Sequence, residues 1–399
     1  MSCVARLSDP HLLARLVAMN TARPNGNLPL VDFLAEYLDR PGVRIRKLSA
    51  PEGPKANLYV EIGPEPAGDR GGLLLSGHTD VVPADEPEWA TDPFRLTLQG
   101  ANVHGRGATD MKGFVAVATN VASEIDAASL RAPLALLLTY DEEVGTLGAR
   151  HFAESWTERE RLPRQAIIGE PTRLAVVRAH KGIVELHITV TGRSAHSGYP
   201  HLGTSAVEPL AAIVSGLAAL RRELERERGD ASAWFPEVPF VPLNVGTMRG
   251  GVAPNVIPDR ATAEVTVRPL PGMQVAPLVE RVRGVVGRAA GSAPWTMEVA
   301  AESPPMQTPA DAPVIRALLE LTDQREAQTV SYATDAGWLQ TLDLECAIFG
   351  PGDIATAHRA NEYVALGELT TARGILERVI GRMCTSEKTV EEVEDGRRR

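Results

Sequence analysis

The sequence predicts an α/β fold interrupted by an inserted second domain of β-α-β-β-α-β order. Three observations predict it. Between about residues 56 and 169, apolar strand-like runs alternate with helical patterns, as in a sheet covered on both faces. From residue 184 the pattern switches to period two, the mark of a strand with one solvated face. Helix and strand of the first kind resume after about residue 312, and a chain of 399 residues has room for two domains.

Each element has its own signal. Ser8 or Asp9 can cap a first helix with Pro10 at its first position, followed by the stripe Leu12, Leu13, Leu16 and Val17. Ala56–Ile62 and Gly72–Gly77 read as strands. A helix follows Met111 to about Ile125. Leu134–Tyr140 reads as a buried strand, Leu147–Trp156 as a helix and Gln165–Gly169 as another strand. Val184, Leu186, Ile188 and Val190 then alternate with Glu185, His187, Thr189 and Thr191. A long helix over about Ser205–Arg228 ends in RRELERER, read as a solvated helix end rather than a partner-binding patch. Strands near Val241–Met248 and Ala261–Val267, a helix near Val275–Ala290 and a strand near Trp295–Ala300 complete a ferredoxin-like order. A helix near Ala312–Thr322 and a strand near Glu345–Phe349 return to the first pattern. The boundaries that follow are 1–180 and 304–387 for the outer domain, 181–303 for the insertion, and 388–399 for a tail expected to be disordered.

Composition narrows the class. Apolar residues make up 44% and charged residues 23%, which excludes disordered and collagen-like chains. The net charge of −10 argues against nucleic acid or an acidic membrane as partner. Cys3, Cys346 and Cys384 are far apart and form no CxxC pair, so neither a disulfide framework nor a cysteine zinc site is expected. No run reaches the roughly 18 apolar residues of a membrane span. Arg6 and Asp9 interrupt any signal-peptide core, and a cytoplasmic protein is expected.

The chemistry collects at strand ends. His78 and Asp80 follow an apolar run and point the same way on an extended segment, although a surface loop would look alike. In HGRGATDMKG, residues 104–113, Asp110 precedes a helix and can be a simple N-cap. The glycines there match neither a Walker nor a dinucleotide fingerprint. Asp141, Glu142 and Glu143 end a buried strand, where carboxylates need a cation or solvent. Glu170 ends the next strand, and His358 follows the glycine-rich GPGDIATA. Imidazoles and carboxylates gathered at the carboxyl edge of an α/β sheet suit two divalent ions sharing one bridging carboxylate. An ion pair of that kind polarises a carbonyl and activates a water.

As a set, SGHTDVVP, HGRGATDMKG, TYDEEVGTLGA, IIGEPT, GRSAHSG, APNVIPD and GPGDIATAH, in order from residue 76 to 358, resemble one family. It is the dinuclear-zinc metallopeptidase and deacylase family of acetylornithine deacetylase, succinyl-diaminopimelate desuccinylase, aminoacylase and carboxypeptidase G. The resemblance implies a zinc-peptidase-like domain with a mixed sheet between helices, and an inserted ferredoxin-like lid that dimerises. It implies His78 and Glu170 as terminal ligands of one zinc, Glu143 and His358 of the other, and Asp110 as the bridge. Asp80 corresponds to the carboxylate that orients His78, and Glu142 to the general base. His196 corresponds to a lid histidine that reaches a neighbouring subunit's site and stabilises the oxyanion, although by itself it reads as a surface turn residue. Asn255 and Arg268 correspond to contacts with the substrate carboxylate, though Arg268 can equally be a solvated strand residue.

Within the family, VVRAHKG, LNVGTMRGG, VRPLPGM and QTLDLECAIFGPG resemble the acetylornithine deacetylase branch. The implied reaction is hydrolysis of an N-acyl amino acid, first of all N2-acetyl-L-ornithine, for arginine synthesis. Succinyl-diaminopimelate, acetylcitrulline or another N-acyl amino acid are the alternatives, and a non-catalytic binding homologue is a distant one. Two zinc ions per subunit are implied, with cobalt able to replace them. Asp335 in YATDAG is the candidate anion for a substrate ammonium, or else a helix N-cap. No GxSxG elbow or Cys–His motif points to a serine or cysteine hydrolase.

Overall fold

Runs of Leu, Ile and Val with few polar interruptions build the central sheet. The computed structural model describes residues 6–66 and 68–385. It divides into two units. One comprises Met1–Arg178, Thr308–Gln328 and Thr334–Arg399; the other comprises Ala179–Gln307 and Thr329–Ala333.

In the first unit the strands stand in the order Val43–Ser49, Ala56–Ile62, Leu134–Thr139, Leu73–His78, Gln165–Ile168, Glu345–Ile348, with Val177 pairing beyond. The four central strands, Leu134–Thr139 to Glu345–Ile348, run parallel and the flanking ones antiparallel, so the sheet is mixed. Side chains alternate across it. Leu73, Leu75, Leu134, Leu136, Leu138 and Ile167 face a core shared with the helices Asp9–Val17, Leu28–Leu38, Gly113–Glu124, Pro313–Thr322 and Leu366–Cys384. On the opposite face Tyr59 packs on Phe152 and Trp156, with ring centroids 6.0 and 4.7 Å away. The helix Leu147–Ser155 carries Phe152 and meets the short helix Ala336–Gln340.

The second unit holds an antiparallel sheet in the order Leu243–Gly250, Arg260–Val267, Ile183–Thr191, Trp295–Ser303. In chain order these are strands 2, 3, 1 and 4, the ferredoxin-like arrangement. Val184, Leu186, Ile188 and Val190 are fully buried against Val207–Leu224 and Val275–Ala290. Glu223 and Glu227, from the charged run, pair with Arg281 at the surface. A two-residue ribbon joins Ala195–His196 to Val256–Ile257.

Among the elements without a clear sequence signal, three are long. Leu28–Leu38 is apolar on too many sides to show a face. Val43–Ser49 is a charged edge strand whose alternation is broken. Leu366–Cys384 contains Gly367, Gly374 and Gly381, which dilute its helix propensity. Cys346 and Cys384 are buried free thiols. No described helix is long and apolar enough to cross a membrane. The tail 388–399 lies outside the described residues, as does Cys3.

Glycine geometry gives a paired test of the packing. A Cβ on Gly169 would stand 1.9 Å from Phe114 Cγ, whereas one on Gly374 meets nothing within 4 Å. Gly169→Ala should therefore destabilise by about 1–3 kcal/mol, the usual range for overpacking. Gly374→Ala should stabilise by about 0.5–1 kcal/mol. Chemical denaturation of the two variants checks both signs.

Candidate metal centre

Parallel strands place their carboxyl ends at one edge, and that edge carries the candidate residues. His78 is the last residue of Leu73–His78. Glu142 and Glu143 follow Leu134–Thr139, and Glu170 follows Gln165–Ile168. His358 lies in the loop after Glu345–Ile348 and has a positive φ of 57°.

Asp110 ties the group together. Its Oδ1 is 2.9 Å from His78 Nε2 and its Oδ2 is 3.3 Å from His358 Nε2. His358 Nε2 is also 3.0 Å from Glu143 Oε1. Two sets of potential ligands result, His78–Asp110–Glu170 and Asp110–Glu143–His358, each with its donor atoms within 4.8 Å of one another. Asp110 is common to both. It does not cap the following helix, which begins at Gly113 after a stretch of non-helical backbone. The N-cap alternative therefore fails.

The neighbouring acids have separate tasks. Asp141 turns away, is buried and pairs with Lys55 at 2.5 Å. Asp80 stands beside His78 but holds it differently from expectation. The Asp80 main-chain carbonyl lies 3.0 Å from His78 Nδ1, while the nearest carboxylate oxygen is 3.6 Å away. The Asp80 carboxylate instead accepts the peptide N–H groups of Glu142 and Glu143, each at 3.1 Å. It thereby fixes the segment carrying both residues. Asp335 occupies the N-cap position of Ala336–Gln340 without a capping bond. It is 1% exposed, accepts from Thr139 Oγ1 at 2.6 Å, and leaves Oδ1 without a partner.

Burial and crowding set the protonation of the group. Burial, then the charge of Glu170, pushes Glu142 well above the usual carboxylate range. Burial and the charge of Asp110 do the same to Glu170, and raise Glu143 to about 7. Burial raises Asp335 to about 6 against the Thr139 hydrogen bond. His358, bonded to Asp110 and Glu143, rises to about 10. Asp110 moves the other way: despite its burial, the bonds to His358 and His78 lower it. Such a set is neutralised either by protons or by cations. Glu170 Oε1 is buried with no hydrogen-bond partner, as a ligand oxygen would be. The donors thus fit divalent metal.

The second unit carries the remaining candidates. His196 is exposed, and its Nδ1 accepts from Gly198 N–H at 3.0 Å. Val256 is its partner across the ribbon, and Asn255, one residue before, accepts the Ser197 N–H at 3.0 Å through its carbonyl. Arg268 lies one residue beyond the strand Arg260–Val267 rather than within it. It is half-buried and donates from Nη1 to the Ser331 carbonyl at 3.4 Å. Arg106, Lys112 and Glu362 are buried polar residues of the first unit that sequence patterning assigned no role. Glu362 follows His358 by four residues, but nothing in its spacing marks it.

Proton release gives a test of the ligand set. Metal ions bind deprotonated ligands, so protons on Glu143 and His358 must leave. Apparent cobalt affinity should fall as pH is lowered below about 10, where His358 takes up its proton, and more steeply below about 7, where Glu143 does. The heat of binding should vary with the ionisation enthalpy of the buffer. His78→Ala and His358→Ala should each lower metal content measured by elemental analysis.

The profile of peptidase family M20/M25/M40 matches residues 74–382. Acetylornithine deacetylase of Myxococcus xanthus is 38% identical over 378 residues, covering 93% of this chain and 96% of the relative. That of Proteus mirabilis (strain HI4320) is 34% identical over 375 residues, covering 93% and 94%. Among solved structures, the M20 family metallo-carboxypeptidase Sso-CP2 from Sulfolobus solfataricus superposes with a TM-score of 0.78 at 17% identity, covering 94% of this chain and 99% of its own. The Bacillus subtilis dinuclear metal binding peptidase from M20 family gives 0.63 at 15% identity, covering 93% and 96%. The fold, the matched profile and the near full-length relatives agree: the chain belongs to peptidase family M20/M25/M40.

Proposed function

We propose that this enzyme hydrolyses N2-acetyl-L-ornithine to L-ornithine and acetate, a step that serves arginine synthesis. The observation that carries the substrate is the 34–38% identity to acetylornithine deacetylases over more than nine-tenths of the chain. The site supports the reaction class. His78 and Glu170 would hold one ion, Glu143 and His358 the other, with Asp110 between them. Mixed imidazole and carboxylate donors suit zinc, with cobalt a ready replacement. Two such ions, when bound, polarise an amide carbonyl and lower the pKa of a water.

The chain's own groups supply the rest. Glu142 takes a proton from the attacking water and delivers it to the departing amine. Its buried, crowded surroundings suit it to hold that proton between the two transfers. Asp80, by gripping the Glu142 peptide N–H, keeps the base on its segment. His196 donates to the developing oxyanion, reaching the site of a second subunit in a homodimer formed through the inserted unit. Asn255 and Arg268 receive the substrate carboxylate, where a guanidinium fork gives paired hydrogen bonds. Asp335 offers its free Oδ1 to the side-chain ammonium. The cysteine pattern and the absence of a long apolar run support a cytoplasmic enzyme.

Glu142→Gln keeps the shape and removes the base. It should cut kcat by at least about 10²-fold with metal content retained. Stopped assays with elemental analysis of the same samples check both halves.

The substrate reading is tested by a panel of N-acyl amino acids. Acetylornithine should exceed succinyl-diaminopimelate and acetylcitrulline in kcat/KM. Asp335→Asn should penalise acetylornithine more than acetylmethionine, whose side chain is uncharged. Equal losses on both would remove Asp335 from side-chain recognition.

A further inference from the structure

The loop that delivers Asp110 turns its peptide N–H groups toward one point, and Glu362 fills that point. Glu362 Oε1 accepts from Thr109 N at 2.9 Å and from Asp110 N at 3.1 Å. Its Oε2 accepts from Gly107 N at 3.1 Å and from Arg106 Nη1 at 2.9 Å. A carboxylate has about four acceptor positions, and here all are used. Glu362 is 1% exposed and belongs to neither ligand set.

The clamp is itself held. Arg106, also 1% exposed, donates to Glu86 Oε1 at 2.7 Å and to the carbonyls of Pro83 and Arg359. Its guanidinium lies over the Trp89 ring, 5.3 Å from the centroid. Gly107 has φ 79°, and a Cβ there would meet Val81 Cγ1 at 2.5 Å, so the loop can pass only as glycine. The contact is reciprocal: Gly105 N donates to the Glu362 carbonyl at 3.0 Å, and Thr109 Oγ1 to the Tyr363 carbonyl. One short segment, 358–363, thus both carries His358 and grips the backbone that carries Asp110.

We propose that Glu362 is the positioning residue of Asp110. By capturing the Asp110 peptide N–H and two others of the same turn, it fixes the carboxylate that both ligand sets share. It therefore preorganises both metal positions at once. Arg106 is its anchor, supplying the one charged donor that keeps the acid seated. This rests on the reading that the ligand sets hold metal.

The test is cobalt binding to apoprotein, followed by calorimetry and by visible absorption, in wild type, Glu362→Gln, Glu362→Asp and Glu86→Gln. An amide at 362 accepts through one oxygen only and turns an NH2 toward the donors of Gly107 and Arg106. Affinity for both cobalt equivalents should fall about 10- to 100-fold, the usual effect of losing a group that orients ligands. The cobalt spectrum should change, and kcat should fall with little change in KM. Glu362→Asp, too short to reach all three N–H groups, should fall between and serves if the amide variant does not fold. Glu86→Gln removes the other carboxylate on Arg106 but leaves the turn gripped, so it should bind both ions as wild type does. Wild-type affinity and spectrum in either position-362 variant overturns the inference, as does an equal loss in Glu86→Gln. Wild-type protein that takes up no cobalt overturns the metal reading itself, and this inference falls with it.

Discussion

The rest of the structure depends on one electrostatic constraint: more carboxylates are buried at the sheet edge than the available imidazoles can balance. Asp110, Glu142, Glu143 and Glu170 converge there with His78 and His358. Taking an unpaired charge out of water is costly, so the cluster exists only with protons or cations as partners. The directions of the pKa shifts express the conflict, with Glu142 and Glu170 driven toward the neutral form while the two histidines hold Asp110 ionised. A pair of divalent ions would meet all of these demands together. Such a pair would suit hydrolysis of an unactivated amide, because it would polarise the carbonyl and lower the pKa of the attacking water.

The sequence disclosed the parts that depend on local pattern. Buried parallel strands show as apolar runs, so the strands ending at His78 and preceding Glu143 and Glu170 were legible with their ends within a residue or two. The period-two segment 184–191 was legible for the same reason, since one face is solvated. The individual ligands were weaker signals, and only their joint order along the chain gave them a family resemblance. What stayed hidden is tertiary. The direction in which Asp141 turns depends on Lys55, 86 residues away. That the Asp80 carboxylate grips two peptide N–H groups, while its carbonyl meets the ring of His78, depends on how the loop after Leu134–Thr139 folds back. No periodicity encodes either contact. The glycine-bearing helix Leu366–Cys384 was hidden for a different reason, because its stability comes from packing Leu369, Ile375, Leu376 and Val379 into the core beside the helices Gly113–Glu124 and Pro313–Thr322.

The same physics explains how one edge can carry so many acids without confusing their tasks. What distinguishes them is the number of donors the backbone and side chains aim at each. Glu362 is saturated by three peptide N–H groups and Arg106, and Asp80 takes two peptide N–H groups. Asp141 is satisfied by Lys55. Glu362 is thereby filled, while Asp80 is engaged with backbone and Asp141 with a lysine. Glu170 and Asp335 each keep a buried oxygen without a partner, and they are the ones left open to a cation or a substrate ammonium. Asp110 lies between the extremes: its side chain meets only the two imidazoles, while its peptide N–H belongs to Glu362. A carboxylate that must face two ions can spend none of its own oxygens on being held in place, so its orientation has to come through the main chain. In the proposed division of labour, side chain to the ions and peptide group to a buried acid, Asp110 would be kept rigid and available at once.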